Sequence, residues 1–379
     1  MNLNRIMGIV VALCTAIPLF SQKYQATIPY RMVGEKMLIE MNINGNLRPF
    51  IFDTGGHTAI TTAACKALQI EPTDSMKVTD VNNKDSYYKK LHIWSLKTPD
   101  NVFNFKNAPA LVFDEIQGWD CFGVDGIIGS DLFVNNRVTI DSKAKVITVT
   151  SAESPSSVSL RKMLNFAKSG NMPIINIQVA PVSNLTVLFD TGCPGLLSMI
   201  GSDFDKIKNE ADMEVVSEGY GEGGIGIAGQ AEKASSYRLH IPTFSVGATK
   251  FRNVTLSTST HPYTLLGVKL LEYGKVTIDY PRGQFFFEAY QPDNVIANKA
   301  HNFDLSVKEG DLVVSTVWSS AKGQVAVGDK VTKVNGKPAR KYDFCESILT
   351  GIPELKGKKS VKLTVQTASG EKVVSYKQE

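Results

Sequence analysis

Apolar and polar residues alternate along much of the chain, and this pattern predicts a structure made mainly of β-strands. The alternation from Met37 to Ile43 leads into Asn44-Gly45, a dipeptide typical of a tight hairpin turn. The segment RPFIF then returns as a second strand, which ends at Asp53. We therefore expect a hairpin whose second strand carries an acid at its tip.

Several landmarks recur at nearly one spacing, which indicates an internal duplication. Asp53 in IFDTGG and Asp190 in LFDTGC are 137 residues apart. Gly129 and Gly267 are 138 residues apart, and the segment VTID occurs twice at that same spacing. Because insertions between such landmarks belong in loops, we expect two copies of one fold that differ in their hairpins.

The predicted copies occupy residues 23–150 and 160–290, and the serine-rich linker SAESPSSVS at residues 151–159 separates them. No long segment repeats with the period of a helix, so only short helices are expected, at residues 61–68 and 202–208. At 379 residues the chain is too long for a single hydrophobic core.

Residues 1–22, MNLNRIMGIVVALCTAIPLFSQ, have the features of a cleaved secretory signal, since Arg5 precedes a short apolar stretch and a polar end. Two alternatives stay open: an uncleaved anchor, and lipidation at Cys14, although Leu13 is large for that processing site. Membrane association is expected only in those two cases. A formal charge of +4 is too weak to indicate nucleic acid as a partner.

Four cysteines follow the predicted signal, and their wide spacing gives no recognisable disulfide framework. They are Cys65, Cys121, Cys193 and Cys345. Disulfide bridges and buried free thiols both stay open as interpretations. Neither a CxxC pair nor a histidine-rich cluster is present, so we expect no structural metal.

Each copy ends a strand with Asp-Thr-Gly, which places a carboxylate on a tight loop. Glycine permits close approach of a neighbouring chain, and threonine can tie the loop through its hydroxyl. If a twofold axis relates the copies, Asp53 and Asp190 meet, share one proton, and act as base and acid. Two plainer interpretations are that the acids only cap turns, or that the pair is inactive.

The sequence resembles the bilobed aspartic proteases, both pepsin-like and retropepsin-like, in which each half carries an apolar-apolar-Asp-Thr-Gly loop and a later apolar-apolar-Gly strand. The matching segments are Ile51–Gly55 with Ile127–Gly129 and Leu188–Gly192 with Leu265–Gly267. The resemblance spans roughly residues 25 to 290 and implies two homologous β-barrel-like lobes related by a pseudo-twofold axis. It implies catalysis by Asp53 and Asp190, with loop support from Thr54, Gly55, Thr191 and Gly192.

By this resemblance the reaction is hydrolysis of an extended polypeptide by a water held between the two acids, without metal or organic cofactor. Gly56 and Cys193 follow the two loops, where many family members have Ser, Thr or Ala. Neither loop therefore offers a hydroxyl there, and the pH optimum stays open. His57 is interpreted as structural, because no nucleophile motif accompanies it.

The glycine-rich stretch GYGEGGIGIAG at residues 219–229 contains GxGxxG twice, but the strand and helix that a dinucleotide loop requires are missing. We expect a mobile flap over the substrate, with an ordinary loop as the alternative. Tyr87 and Tyr88 occupy the corresponding region of the first copy. These tyrosines either line the cleft or pack on the sheet.

Residues 300–379 are expected to form a separate α/β module that resembles the bacterial type of PDZ domain. The resemblance rests on GDKVTKVNG at residues 328–336, on the strand DLVVSTVW before it, and on a helix at residues 343–349 after it. Such modules bind a peptide or C-terminus as an added strand. The carboxylate loop lacks its usual glycines, so a purely structural module is the alternative.

These features together predict an aspartic endopeptidase that is secreted or periplasmic, in a bacterial envelope. The alternative from another class is an inactive peptide-binding adaptor that uses the protease cleft and the PDZ-like module. A third is a structural envelope protein with the lobes as scaffold.

Overall fold

The structure, a computed structural model, describes residues 23–79, 85–114, 118–152, 159, 162–167, 171–179, 183–226, 229–297 and 300–379. The predicted signal at residues 1–22 and residues 153–158 of the predicted linker lie outside these ranges. The described elements are mainly β-strands, so the prediction from the alternating pattern is confirmed.

The first region, residues 23–152, is a succession of antiparallel hairpins interrupted by one short α-helix. Its elements are β1 (Gln25–Val33), β2 (Lys36–Ile43), β3 (Asn46–Asp53), β4 (Ala59–Thr61), α1 (Thr62–Ala67), β5 (Asp74–Thr79), β6 (Asp85–Lys97), β7 (Asn104–Phe113), β8 (Gly126–Gly129), β9 (Asn136–Asp141) and β10 (Val146–Ser151). Two 3₁₀ turns are described in it, Asp120–Phe122 and Ser130–Phe133.

The second region, described between residues 162 and 297, has the same kinds of elements in a similar order. They are β11 (Met163–Ala167), β12 (Ile174–Gln178), β13 (Asn184–Asp190), β14 (Leu197–Ile200), α2 (Gly201–Ile207), β15 (Glu214–Gly221), β16 (Ile225–Gly226), β17 (Gly229–Gln230), β18 (Ala234–Val246), β19 (Thr249–Ser259), β20 (Leu265–Gly267), β21 (Gly274–Asp279), β22 (Gln284–Ala289) and β23 (Asp293–Val295). A 3₁₀ turn, Val268–Glu272, follows β20.

The C-terminal unit, residues 300–379, has a hydrophobic core of its own. Its elements are β24 (Phe303–Lys308), β25 (Asp311–Trp318), β26 (Lys330–Val334), β27 (Lys337–Pro338), α3 (Phe344–Thr350), β28 (Ser360–Thr367) and β29 (Gly370–Lys377). The predicted strand DLVVSTVW is β25, and the predicted helix is α3. Asp343 caps α3 by accepting a hydrogen bond from the Glu346 amide at 2.7 Å.

Local chemistry explains the elements that the sequence predicted correctly. Asn44 and Gly45 have φ angles of +49° and +93°, the left-handed values that a tight turn between β2 and β3 requires. Thr61 caps α1 by accepting from the Ala64 amide at 3.1 Å. The short helices predicted after both Asp-Thr-Gly loops are confirmed, as α1 and α2.

Both regions contribute to one central antiparallel sheet of six strands, in the order β1-β10-β9-β21-β22-β11. Where β9 meets β21, equivalent residues of the duplication form reciprocal ion pairs, Arg137 with Asp279 at 2.9 Å and Lys275 with Asp141 at 2.7 Å. One continuous cluster of buried apolar side chains spans both regions. The two regions therefore fold against each other rather than as separate bodies.

The C-terminal unit contacts both regions. Its strand β25 pairs antiparallel with β15 of the second region. Its helix α3 is joined to the first region by a disulfide between Cys121 and Cys345, which answers the question that the cysteine spacing left open. Cys65 and Cys193 are buried free thiols.

The glycine-rich stretch differs from the expected flap at its beginning. Gly219 to Gly221 belong to β15, which lies between β18 and β25. A strand that is hydrogen-bonded on both sides does not swing freely. Residues 227–228, in the same stretch, lie outside the described ranges.

No helix in the described part of the chain is both long enough and apolar enough to span a membrane.

Candidate functional site

The two Asp-Thr-Gly loops follow equivalent strands. β3 runs parallel to β8 with Asp53 opposite Gly129, and β13 runs parallel to β20 with Asp190 opposite Gly267. A Cβ on Gly129 would lie 2.4 Å from the Gly56 carbonyl oxygen, so a side chain is excluded there. A Cβ on Gly267 would likewise meet backbone at 2.5 Å. Each late glycine strand therefore supports the acid loop that it packs behind.

The threonines of the two loops bond to each other's backbone in a reciprocal pattern. The Thr54 amide donates to Thr191 Oγ1 at 3.0 Å, and the Thr191 amide donates to Thr54 Oγ1 at 3.1 Å. Each hydroxyl then donates to the opposite strand, Thr54 to the Phe189 carbonyl at 2.7 Å and Thr191 to the Phe52 carbonyl at 2.8 Å. All of these groups are buried, so the loops are locked together by four hydrogen bonds.

This lock brings the two acids side by side. A Cβ on Gly55 would lie 2.5 Å from Asp190 Cγ, and one on Gly192 would lie 2.5 Å from an Asp53 carboxylate oxygen. Each carboxylate therefore lies against the glycine of the opposite loop. The Gly55 amide donates to its own Asp53 at 2.9 Å, and the Gly192 amide donates to Asp190 at 2.7 Å.

The surroundings of the two carboxyls are unequal. Asp190 is buried, with 5% of its surface exposed, whereas Asp53 is half-buried. Burial raises the pKa of Asp190 well above its usual range, and the nearby charge and hydrogen bond of Asp53 raise it further. The ammonium of Lys36 and the Gly192 amide act in the opposite direction. Asp190 therefore keeps its proton to a higher pH than an exposed aspartic acid does.

Lys36 is a member of the site that the sequence analysis did not find. It begins β2, and its Nζ donates to the carbonyl of Gly192, the glycine of the second acid loop. The residue before it, Glu35, pairs with Lys269 of the second region at 3.4 Å. A single lysine after a hairpin turn carries no recognisable signal, because only the packing of the two regions brings it to the acids.

Two further side-chain pairs support the first acid loop. His57 Nδ1 lies 3.4 Å from Asp131, whose hydrogen bond raises the pKa of the imidazole. Beneath the loop, Ser130 donates to the Thr54 carbonyl, and the buried Tyr280 hydroxyl lies 3.0 Å from Ser130. His57 was expected to be structural, and its bond to Asp131 fits that expectation, although it also lines the cavity above the acids.

A cavity of about 360 Å³ opens over the two acids, which we call the cleft. Its walls are largely apolar and come from both regions, with Leu111, Phe113 and Trp119 on one side and Met172 and Leu265 on the other. Walls of this kind can bind an apolar part of a ligand. The two carboxyls lie at the floor of the cleft.

Tyr88 lines the cleft, whereas Tyr87 is 78% exposed. The two tyrosines that the sequence could not separate therefore differ in position.

Among the described residues, one group of three side chains has a spacing that could hold a metal ion, Asp120 with Cys121 and Cys345. Both cysteines of that group are committed to the disulfide. The group therefore does not fit a metal ion.

The structure brings together all six residues that the sequence singled out for the acid loops. They are Asp53, Thr54, Gly55, Asp190, Thr191 and Gly192. It adds Lys36, Ser130 and Tyr280, and it leaves no hydroxyl at Gly56 or Cys193.

Comparison with known proteins gives a family match in the first region. Residues 39–132 match the family model described as aspartyl protease. The matched segment contains the first Asp-Thr-Gly loop and its glycine strand up to Leu132.

Among solved structures, the chain is similar to the crystal structure of aspartic proteinase from Irpex lacteus, with 12% sequence identity and a TM-score of 0.45. The likeness covers 71% of this chain and 98% of that one. No curated protein sequence matches the chain.

Proposed function

We propose that the chain is an aspartic endopeptidase in which Asp53 and Asp190 activate a water molecule for attack on a peptide bond. The observation that carries this proposal is the mutual locking of the two Asp-Thr-Gly loops, which holds two carboxyls together at the floor of the cleft. The family match over residues 39–132 supports it.

The unequal surroundings of the acids suggest how they divide the chemistry. The buried Asp190, whose pKa is raised, holds the shared proton and donates it to the scissile carbonyl. Asp53, on the more exposed side, accepts a proton from the attacking water. When the tetrahedral intermediate collapses, Asp53 gives its proton to the leaving amine nitrogen and Asp190 takes a proton from a hydroxyl of the intermediate. The pair keeps one proton throughout, and that proton is again on Asp190. Thr54 and Thr191 keep the carboxyls at fixed separation during this exchange.

The test is cleavage of a mixed peptide library by the purified chain. Asp53→Asn and Asp190→Asn are each expected to lower the cleavage rate by about 10²-fold to 10⁴-fold, because either substitution removes half of the acid–base pair. Asp205→Asn is the matched control, since Asp205 is a 68% exposed acid paired with Lys208. Binding of peptides without cleavage by the wild-type chain would instead support the inactive adaptor.

We propose that the first and second regions are the two lobes of an aspartic protease fold, related by a pseudo-twofold axis. The reciprocal threonine bonds, the reciprocal ion pairs Arg137–Asp279 and Lys275–Asp141, and the direct Thr139–Thr277 contact at 3.0 Å support this. The threonine partners are 137 or 138 residues apart. The two ion pairs are equivalent to each other, since Arg137 corresponds to Lys275 and Asp141 to Asp279 at a spacing of 138 residues.

We propose further that the C-terminal unit is a PDZ-like module. Five long strands, one helix with an Asp cap and a separate hydrophobic core support this assignment. Helix α3 lies beside β24, so a peptide added to β24 would lie between strand and helix.

We propose a secreted or periplasmic location in a bacterial envelope. The apolar stretch within residues 1–22 supports it, and so does the Cys121–Cys345 disulfide, because such bridges persist in oxidising compartments.

A further inference from the structure

A second cavity of about 400 Å³ adjoins the cleft. Gly224 and His261 line both, so they stand at the junction. Beyond this junction, one wall of the second cavity is formed by the second region and another wall by the C-terminal unit. Thr316 and Trp318 of β25 belong to the latter wall.

The wall from the C-terminal unit is held firmly in place. β25 pairs with β15 from Trp318 opposite Gly219 to Thr316 opposite Gly221. The Glu218 amide donates to Ser319 Oγ at 2.9 Å, and that hydroxyl donates to the Glu218 carbonyl at 3.0 Å. The position of the wall is therefore set by the fold of the whole chain and not by a loop.

The wall from the second region is polar, and one of its hydroxyls has no hydrogen bond. Ser235, Ser236, Ser257 and Thr258 line it, all from β18 and β19. In the same wall, Ser259 Oγ is buried and has no hydrogen-bond partner among the described residues. A buried hydroxyl without a partner is costly, and a ligand that carries peptide N–H and C=O groups would satisfy it.

We infer that an extended polypeptide continues from the acids past Gly224 and His261 into this second cavity, so that the C-terminal unit forms part of the substrate site. This inference rests on the proposed function of the cleft, and it names the substrate class more narrowly as long, extended chains with a polar segment away from the scissile bond. Short peptides reach only the cleft and forgo the hydrogen bonds of the second cavity.

The experiment measures binding, so that it does not depend on turnover. A mixed library of peptides of about sixteen residues, roughly 50 Å when extended, is passed over the full-length Asp190→Asn chain. One retained peptide is synthesised whole and as its eight-residue fragments. The whole peptide is expected to bind about tenfold more tightly than its tightest fragment, the equivalent of one or two hydrogen bonds.

A bulky side chain in the second cavity removes that advantage. Ser236→Phe, at a half-buried position of β18 that lines the second cavity, is expected to abolish the difference between long and short peptides while short peptides bind as before. Ser245→Phe, on the same strand outside both cavities, is the matched control and keeps the difference. Ser257→Phe on β19 is the second filling variant if Ser236→Phe does not fold.

Equal affinity for whole and trimmed peptides, an unchanged difference in a folded filling variant, or no retained peptide would each overturn the inference. Failure of the proposed function gives a different result. If long peptides bind more tightly but the wild-type chain cleaves none of them, the second cavity stands and the hydrolase proposal does not.

Discussion

At the scale of single residues, the two acid loops have the same threonine and glycine but different neighbours. The second loop has the buried Asp190 and receives the Lys36 ammonium on its Gly192 carbonyl. The first loop has the half-buried Asp53, supported from beneath by Ser130. Local charge and burial, rather than the repeated motif, therefore set the difference between the two carboxyls.

Removing the charge of Lys36 should move the pH dependence of cleavage upward. Lys36 lowers the pKa of Asp190, so Lys36→Met lets that pKa rise further. The alkaline limb of the profile, on which Asp190 loses its proton, should move to higher pH, and the cleavage rate at a fixed pH on that limb should rise by about tenfold. Lys269→Met is the control, since Lys269 pairs with Glu35. Unchanged limbs in Lys36→Met would show that Lys36 only packs.

The contribution of Asp190 to the stability of the fold should fall as pH rises, through the titration of its carboxyl. Its pKa is raised in the folded chain, so above the unfolded value near 3.8 the unfolded chain binds fewer protons than the folded chain. Its contribution to the free energy of unfolding therefore decreases with rising pH until the folded pKa is passed. Asp190→Asn should lose this decrease and exceed the wild type in stability at neutral pH, as read from urea unfolding at several pH values. If the free energy of unfolding depends on pH in the same way in the wild type and in Asp190→Asn, the prediction is wrong.

At the scale of elements, the arrangement of β15 differs most from what the sequence suggested. Its glycines permit close packing and not mobility, because a Cβ on Gly219 would lie 2.6 Å from the Trp318 ring and one on Gly221 would lie 2.4 Å from Thr316 Oγ1. Arg238 of β18 lies over the ring of the same Trp318, 3.8 Å from its centre. The glycines are therefore where the C-terminal unit approaches the second region.

A side chain at Gly219 should disrupt the pairing of β15 with β25. Gly219→Val forces the Trp318 ring or β15 to shift, with an expected loss of about 1–3 kcal/mol in the free energy of unfolding. Faster hydrogen exchange in β25, measured by mass spectrometry, should accompany the loss. Gly224→Ala serves for comparison, since its added Cβ would have no atom within 4 Å. Equal exchange in both variants would rule out this role of Gly219.

At the scale of the whole molecule, the C-terminal unit links the two regions. A disulfide holds its helix to the first region, and strand pairing holds β25 to the second. The β1–β2 turn adds a contact, since a Cβ on Gly34 would lie 3.2 Å from the Ile348 carbonyl oxygen of α3. That turn leads directly into Lys36, which contacts the second acid loop. The C-terminal unit and the site therefore both contact the β1–β2 hairpin.

Loss of the disulfide should lower the stability of the whole chain. The double change Cys121→Ser with Cys345→Ser opens a link between residues 224 apart, and about 2–4 kcal/mol should be lost in urea unfolding. Reducing agent should have the same effect on the wild type and none on the double variant. Cys65→Ser is the control, because it changes a buried free thiol that takes no part in the disulfide. Insensitivity of the wild type to reduction would refute this expectation.

The sequence by itself determined what depends on local chemistry and on repetition. Alternation predicted the strands, and the Asn44-Gly45 dipeptide predicted the turn in which both residues have left-handed angles. The two Asp-Thr-Gly segments at matched spacing predicted that Asp53 and Asp190 belong together. Each of these signals lies within a few neighbouring residues or in their recurrence, so no knowledge of packing was needed.

Only the tertiary structure decided what depends on contacts between distant segments. It placed Lys36 on the Gly192 carbonyl, paired Cys121 with Cys345, and fixed β15 between β18 and β25. A lone lysine, a scattered cysteine and a glycine-rich stretch look the same in sequence whether they are buried partners or free surface. Their roles follow from which surfaces meet, and that is set by the packing of the core shared by the two regions and of the separate core of the C-terminal unit, rather than by any local pattern.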